Sequence, residues 1–369
     1  MKRFLTIFPQ LRNVHLTKDV GMIPYFLQRE QHYDCTIACF GYDQYPYLEQ
    51  EVQGLKLKVI KRLFKSDFLN LVLFIFSEHK KYDVLQMYHY SRDTLLLLYL
   101  FKALGLFRKK TYLKLDADDR IRSFKFGSGP SGLIARFLFR SISLVSIESK
   151  PLHEYLNNDN HLGRKITYIP NGFHHKNGEH VRVDYGEKSN LIVSVGRLGS
   201  RQKATELVCE AFTKFVISQP DWILMLIGTE EPVFSQYLDD LMFKHPFLHK
   251  KIKRLNEVTD RNLLMSYYKQ AKMLVLPSRW EGFPLVYVEA ISSGCYVITT
   301  PVSAGLDVTR NGELGVIVPF DSVDEIAYAM LDYAANESHM RTISSNIQNY
   351  AYQQFWWPRI VEKISEALY

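Results

Sequence analysis

The sequence predicts an α/β protein built from two doubly wound, parallel-sheet domains. Three observations carry this. Apolar runs of strand length recur along the whole chain, nearly continuous in Val, Ile, Leu and Phe, as in parallel strands buried on both faces. Longer segments with a helical apolar stripe separate them, and strand–helix alternation is the mark of crossover units. The alternation is interrupted once, at Ile169–Phe173, and 369 residues suit two domains of ordinary size.

In chain order, the strand-like runs of the first half are FLTIF (4–8), CTIACF (35–40), LKLKVI (55–60), DVLQMYH (83–89), TYLKL (111–115) and LVSIES (144–149). Those of the second half are LIVSVG (191–196), ILMLIG (223–228), KMLVLP (272–277), CYVITT (295–300) and GVIVP (315–319), with KIKRL (251–255) also strand-like. Between them, ATELVCEAFTKFVIS (204–218) places Leu207, Val208, Ala211, Phe212, Phe215 and Val216 on one helical stripe. Pro170, Asn171 and Gly172 break regular structure, and a polar stretch (174–190) follows before the next strand. The tail is helical from about Glu337, with Trp356 and Trp357 just before Pro358.

Composition excludes several classes. With 47% hydrophobic and 23% charged residues the chain is neither disordered nor collagen-like nor a coiled coil. The four cysteines lie in apolar segments, and Cys35 and Cys39 share one strand face with no second Cys/His pair nearby. Buried reduced thiols fit better than disulfides or a metal, and predict a cytoplasmic protein. After Lys2 and Arg3 only Phe4–Phe8 is apolar, too short for the core of a secretory signal. The longest apolar stretches, 68–76 (interrupted by Asn70) and 94–107 (interrupted by Lys102), fall short of the roughly 18–20 residues of a membrane span. The net charge of +7 is uneven. Residues 1–175 carry 26 Lys and Arg against 16 Asp and Glu, a balance of +10, while residues 176–369 carry −3.

Chemistry concentrates where strands give way to loops. After LIVSV, the chain turns at Gly196, offers Arg197, and brings Lys203 to the start of the next helix. Ligands of open α/β sheets sit outside the carboxyl ends of strands, and a forked guanidinium beside an ammonium suits a diphosphate. After KMLVLP come Glu281, Gly282, Phe283 and Pro284, then the helical LVYVEAIS. Pro284 is expected in the first helical turn, where its missing N–H costs nothing. The helix start then presents N–H groups that favour phosphate. Gly282 permits close backbone approach. Glu281 sits at the strand end and Glu289 more than one turn into the helix. Two carboxylates beside an anion site suit a hydroxyl-rich ligand, because a carboxylate accepts two hydrogen bonds from a diol.

The segments GRL…K, PSxxEGFPLVxVEAxxxG, NGELGVIVP and DEIAYAM, in this order, with the IPNG hinge, resemble the retaining GT-B glycosyltransferases of family four (glycosyl transferases group 1), of the bacterial polysaccharide type. The resemblance covers about residues 110–369, and the first 110 only loosely. It implies two Rossmann-like domains facing a cleft: an acceptor domain at 1–172, a nucleotide-sugar domain at 173–345, and a C-terminal helix at 346–369 returning to the first domain. It implies transfer of a sugar from a nucleoside diphosphate sugar to a hydroxyl of a glycan or lipid-linked acceptor in cell-surface polysaccharide biosynthesis, with retention of configuration and with no cofactor and no metal required. Arg197 and Lys203 would hold the donor phosphates, with Gly196 at the turn. Glu281 would contact the donor sugar, the backbone of Gly282, Phe283, Pro284 and Leu285 would lie near sugar and phosphate, and Glu289 would hold the ribose diol. Asn256 and Glu257 fall where the family contacts the base. The same fold also hosts a nucleotide-sugar 2-epimerase and, with a degenerate acceptor site, a non-catalytic nucleotide-sugar-binding protein.

The first half departs from the family. YLKLDADDR (112–120) ends a strand in Lys114, Asp116, Asp118 and Asp119 where relatives often carry a His. Asp116 is the candidate to deprotonate or orient the acceptor hydroxyl. Asp116-Ala117-Asp118 also matches the metal-holding D-x-D of the other glycosyltransferase fold, in which the downstream motifs would have no place. The loop after the first strand lacks paired glycines. Lys18, Gly21 and His89 complete the candidate acceptor cleft. Residues 101–150 hold 11 Lys and Arg against 4 Asp and Glu, interleaved with Phe. With no nucleic-acid motif present, this stretch predicts an anionic membrane surface and a peripheral location on the inner face of the plasma membrane.

Overall fold

The structure is a computed structural model and describes residues 1–159, 162–175 and 180–369. The chain divides into two compact units, Met1–Lys176 with Trp356–Tyr369, and Asn177–Phe355. The expected limits of 172 and 345 differ from these. The helix Glu337–Gln354 packs on the second unit's own helix Leu285–Ser292, so the chain rejoins the first unit only at Trp356. Part of the polar stretch after the hinge, residues 176–179, lies outside the described residues.

The first unit carries a seven-stranded parallel sheet: β1 (Arg3–Ile7), β2 (Asp34–Cys39), β3 (Lys56–Val59), β4 (Val84–Tyr88), β5 (Lys110–Lys114), β6 (Leu144–Ile147) and β7 (Thr167–Tyr168), in the order β3-β2-β1-β4-β5-β6-β7. Leu5 lies between Thr36 and Leu85 in register. The second unit holds β8 (Ser189–Val195), β9 (Ile223–Ile227), β10 (Ile252–Leu255), β11 (Ala271–Leu276), β12 (Tyr296–Thr299) and β13 (Gly315–Ile317), ordered β10-β9-β8-β11-β12-β13 and also all parallel. In each sheet the order reverses once, at β1/β4 and at β8/β11. Connections leave a doubly wound sheet in opposite directions there, which opens a crevice above the strand ends. Only the two-residue β7, too short to show a pattern, had no counterpart among the strand-like runs.

Helices cover both faces of the first sheet. On one face Asp67–Glu78, Arg92–Leu104 and Pro130–Ser141 bury Leu71, Phe74, Leu98 and Leu138. On the other, Asp19–Gln31 packs against the C-terminal helix Trp357–Leu368, with the Phe26 and Trp357 rings stacked 6.3 Å apart. Cys35 and Cys39 both enter this layer, and all four cysteines are buried free thiols. In the second unit the predicted stripe of helix Thr205–Ser218 is buried throughout, each of its Leu, Val and Phe side chains contributing on the order of 1.5–3 kcal/mol. Asn70, which interrupts an apolar run, is buried in its helix. Its Oδ1 accepts from Leu63 and Phe64 N–H, and its amide donates back to the Phe64 carbonyl, pinning the preceding loop. No helix among the described residues is long and apolar enough to cross a membrane.

Candidate nucleotide-sugar site and acceptor face

The loops after β8 and β11 adjoin at the switch point of the second sheet and are stitched together. Arg279 N–H donates to the Gln202 carbonyl at 2.8 Å, and the Arg279 guanidinium pairs with Glu206 at 3.0 Å and Asp321 at 2.7 Å. Two glycines let the strand ends approach. A Cβ on Gly228 (φ +140°) would lie 1.8 Å from the Gly196 carbonyl oxygen, and one on Gly199 (φ +80°) would lie 2.0 Å from Phe234. Lys203 then reaches Glu281, Nζ to Oε1 2.6 Å, with only 13% and 5% of the two side chains exposed. Gln202 donates to the other Glu281 oxygen at 3.2 Å and to the Trp280 carbonyl at 2.9 Å, and it accepts from Arg197 at 3.3 Å. Arg197, Gln202, Glu281 and Lys203 therefore form one continuous polar chain.

Helix Leu285–Ser292 starts immediately above this chain in sequence. Pro284 is its cap rather than part of its first turn, with ψ 133° in the extended range. A Cβ on Gly282 would meet nothing within 4 Å, so the space over this loop is open. Phe283 is buried and faces Phe355 at 5.7 Å, so its contribution here is packing. Glu289 is buried beneath, held by Arg261 at 2.9 Å and lying beside the buried Tyr268 hydroxyl, whose pKa is pushed up by burial first and by the neighbouring carboxylate second. Asn256 and Glu257 are exposed just past β10. Gln202, Arg261 and Arg279 carry no motif and stand far in sequence from their partners, so sequence reading missed them.

The first unit's strand ends hold a different arrangement. Lys114 closes β5 with its side chain fully buried, its ammonium 3.7 Å from Asp19 and 3.7 Å from Glu148. It therefore cannot line a cleft. It is the charge partner of two buried carboxylates that no motif announces. Burial pushes Glu148 up to about 8 and Asp19 up to about 6 against the opposing pull of Lys114, while the two carboxylates hold Lys114 above its ordinary value. Glu148 also accepts from Ala117 N–H at 2.6 Å, which ties it to the loop carrying Asp116.

Asp116 itself is partly exposed, in the left-handed region (φ 45°), 3.9 Å from the Nε2 of His89 (φ 58°). His89 N–H donates to the Lys114 carbonyl, so the His89 turn is bonded to the end of the strand that leads into Asp116. His89 also lines a cavity of ≈ 530 Å³ at the ends of β1 and β4, with His15, Arg12, Asp67, Phe68 and Leu97. Lys18 is exposed at the cap of helix Asp19–Gln31, whereas Gly21 is buried within it, where a Cβ would strike the Leu16 carbonyl at 2.1 Å. Gly21 therefore serves packing. The Asp116-x-Asp118 pattern does not act as a pair: Asp118 caps the turn Asp119–Ser123 and binds Arg120 at 2.6 Å. Among the described residues no three His, Cys, Asp or Glu gather as a metal site requires.

Comparison with known proteins agrees with this layout. The model of the family described as glycosyl transferases group 1 matches residues 178–353. An uncharacterized glycosyltransferase of Methanocaldococcus jannaschii is 24% identical over 177 residues, covering 48% of this chain and 44% of that protein. The UDP-Gal:alpha-D-GlcNAc-diphosphoundecaprenol alpha-1,3-galactosyltransferase of Escherichia coli is 27% identical over 214 residues, covering 55% and 53%. The chain thus matches about half the length of these relatives. The crystal structure of Anabaena HepE in complex with UDP superposes with a TM-score of 0.73 at 18% identity, covering 100% of this chain and 99% of that one. Residues 178–353 of the chain thus match the glycosyl transferases group 1 family model, and its two Rossmann-like units are those of the GT-B fold.

Proposed function

We propose that the protein is a retaining glycosyltransferase that moves a sugar from a nucleoside diphosphate sugar to a hydroxyl of a glycan or lipid-linked acceptor in cell-surface polysaccharide assembly. The observation that carries this is the polar chain Arg197–Gln202–Glu281–Lys203 at the β8/β11 switch point, beside a helix start and open space over Gly282. The galactosyltransferase activity of the Escherichia coli relative and the UDP bound to HepE support it.

In this reading Arg197, Lys203 and the N–H groups at the start of Leu285–Ser292 hold the diphosphate. As the bond from the anomeric carbon to the phosphate oxygen breaks, negative charge grows on the leaving group. Fixed cations and N–H dipoles stabilise that charge more than they stabilise the bound donor, which lowers the barrier. The acceptor oxygen forms its bond on the same face, and its proton passes to the departing phosphate. Glu281 orients the sugar, Glu289 the ribose, and Asp116 the acceptor hydroxyl. No metal is required by this scheme, because protein cations carry the charge.

Thermal-shift measurement against a panel of nucleoside diphosphate sugars tests it. A ligand at 100 times its Kd adds about 2.7 kcal/mol of stability. A response to one donor, followed by acceptor-dependent release of nucleoside diphosphate, is expected. Silence across the panel would sink the reading, and an epimer formed from donor alone would replace transfer with epimerisation.

A further inference from the structure

The helices Asp67–Glu78, Arg92–Leu104 and Pro130–Ser141 lie side by side on one face of the first sheet. Their inner sides form the core already described. A surface helix of a soluble domain ordinarily turns a polar side outward. These three do not. Leu69, Leu73 and Phe76 make an exposed line at helical spacing on the first, and Leu133, Ile134 and Phe137 are exposed on the third at 65%, 57% and 59%. The helix between them closes the gap. Tyr99 contacts Phe137 at 5.8 Å and, beyond the helix end, Phe107 at 5.9 Å, while Leu96 and Ile134 line one shallow apolar groove. Contiguous exposed apolar surface of this kind marks a binding face.

Charge identifies the partner. Exposed Lys61, Arg62 and Lys65 precede the first helix, Arg108 follows the second, and Arg136 and Arg140 alternate with Phe137 on the third, which has no acid. Of the acids on these helices, Glu78 is held by Lys58 and Lys81, Asp67 lies 3.5 Å from Arg62, and Asp93 sits in the first turn of the second helix, lining the ≈ 530 Å³ cavity. Cations set among protruding Leu and Phe match the boundary of an anionic bilayer, where apolar tips enter the acyl region and long basic chains reach the phosphates.

We propose that this three-helix face docks the protein on an anionic lipid bilayer. The basic stretch 101–150 contributes only in part. Lys109 turns inward to the His79 and Tyr82 carbonyls and Lys110 lies over Tyr369, whereas Leu63–Phe76, outside that stretch, supplies a third of the face. The inference deepens the transferase reading and rests on it for one step. The ≈ 530 Å³ cavity lies at the N-terminal ends of the first two helices, so an acceptor anchored in the bilayer would present its head group there, which makes the acceptor lipid-linked.

Vesicle flotation of the full chain tests the docking without nucleotide or sugar. Binding to phosphatidylcholine vesicles containing phosphatidylglycerol is expected, weaker on phosphatidylcholine alone and weakened by salt. Leu133→Glu with Phe137→Glu, and separately Leu73→Glu with Phe76→Glu, are each expected to reduce binding at least about tenfold, since one such pair removes two apolar anchors and adds two repelled charges. Phe243→Glu, even more exposed but in the second unit, should leave it unchanged. Absent binding by the wild type, equal binding to neutral vesicles, or double variants that float like the wild type would each overturn the proposal. So would a wild-type dimer that the double variants split, which would assign the face to a second copy. Thermal shifts with nucleoside diphosphate sugars on the same samples keep the readings apart. Vesicle binding with no donor response would remove the lipid-linked acceptor and leave the docking face standing.

Discussion

Lys203 and Glu281, 78 positions apart, meet Nζ to Oε1 at 2.6 Å across the switch point of the second sheet. With both side chains largely buried, each is the other's main compensation. Lys203→Met should therefore act twice. It strands a buried carboxylate, a loss on the order of 3 kcal/mol that urea denaturation would read. It also removes a cation from the diphosphate, so turnover should fall by at least about a hundredfold. Lys203→Met with Glu281→Gln should recover most of the stability and none of the turnover.

Glu289 tests the ribose assignment separately from the phosphates. Glu289→Ala removes a carboxylate able to accept from both hydroxyls of a diol, and hydrogen bonds to charged groups are worth about 1.5–3 kcal/mol. Affinity for the donor should fall at least about tenfold by isothermal titration. Arg261→Ala, which leaves the carboxylate and removes its partner at 2.9 Å, should lose clearly less. Equal losses would make the pair structural.

The strand runs and the helix stripe were legible because their periods encode them, and the loops carrying Arg197, Lys203 and Glu281 because they follow strand ends. That the β8 and β11 loops adjoin was implied by the family resemblance and by nothing local, since strand order is set only in the folded sheet. Long-range pairing was not legible. Nothing local marks Glu148 as the partner of Lys114, or Arg261 as that of Glu289, since such pairs are fixed by packing in three dimensions. For the same reason Lys114 reads as a cleft lysine in sequence and is a buried one in the fold.

Two glycines near the donor loops should respond in opposite ways. Gly228→Ala places a methyl 1.8 Å from the Gly196 carbonyl at a φ of +140°, so backbone must shift and stability should drop by about 3 kcal/mol or more. Gly282→Ala meets no atom within 4 Å and should leave the melting temperature within about 2 °C of wild type, as surface substitutions change stability by under ~0.5 kcal/mol. Its methyl fills the space over the loop, so donor affinity should fall. Unchanged affinity would move the ligand elsewhere.

The Asp19–Lys114–Glu148 cluster makes stability depend on pH. One ammonium offsets only one of two buried carboxylates. Glu148 at about 8 and Asp19 at about 6 therefore keep protons that the unfolded chain has already released. Between about pH 5 and 8 the folded state binds more protons than the unfolded one, so stability falls as pH rises. Lys114, raised above the ordinary lysine value, contributes stability that is constant across this window and lost only above it. Urea midpoints measured across that range should decline for the wild type, and Glu148→Gln should flatten the decline. An equal slope in the variant would place the titration elsewhere.

Asp116 and His89 separate acceptor chemistry from donor binding. Both sit on left-handed turns at the β5 and β4 ends, 3.9 Å apart, and both belong to the first unit's sheet. Backbone held at positive φ in a non-glycine residue costs on the order of 1–3 kcal/mol, and such strain gathers where a side chain must be aimed. Asp116→Asn keeps the shape and removes the charge. Turnover should fall by about 10²–10⁴, the usual share of a general base or orienting carboxylate, with donor affinity unchanged. His89→Ala should raise KM for the acceptor more than it lowers kcat, because His89 lines the cavity while Asp116 would face the reacting hydroxyl. If Asp116→Asn turns over like the wild type, the hydroxyl gives its proton to the departing phosphate unaided.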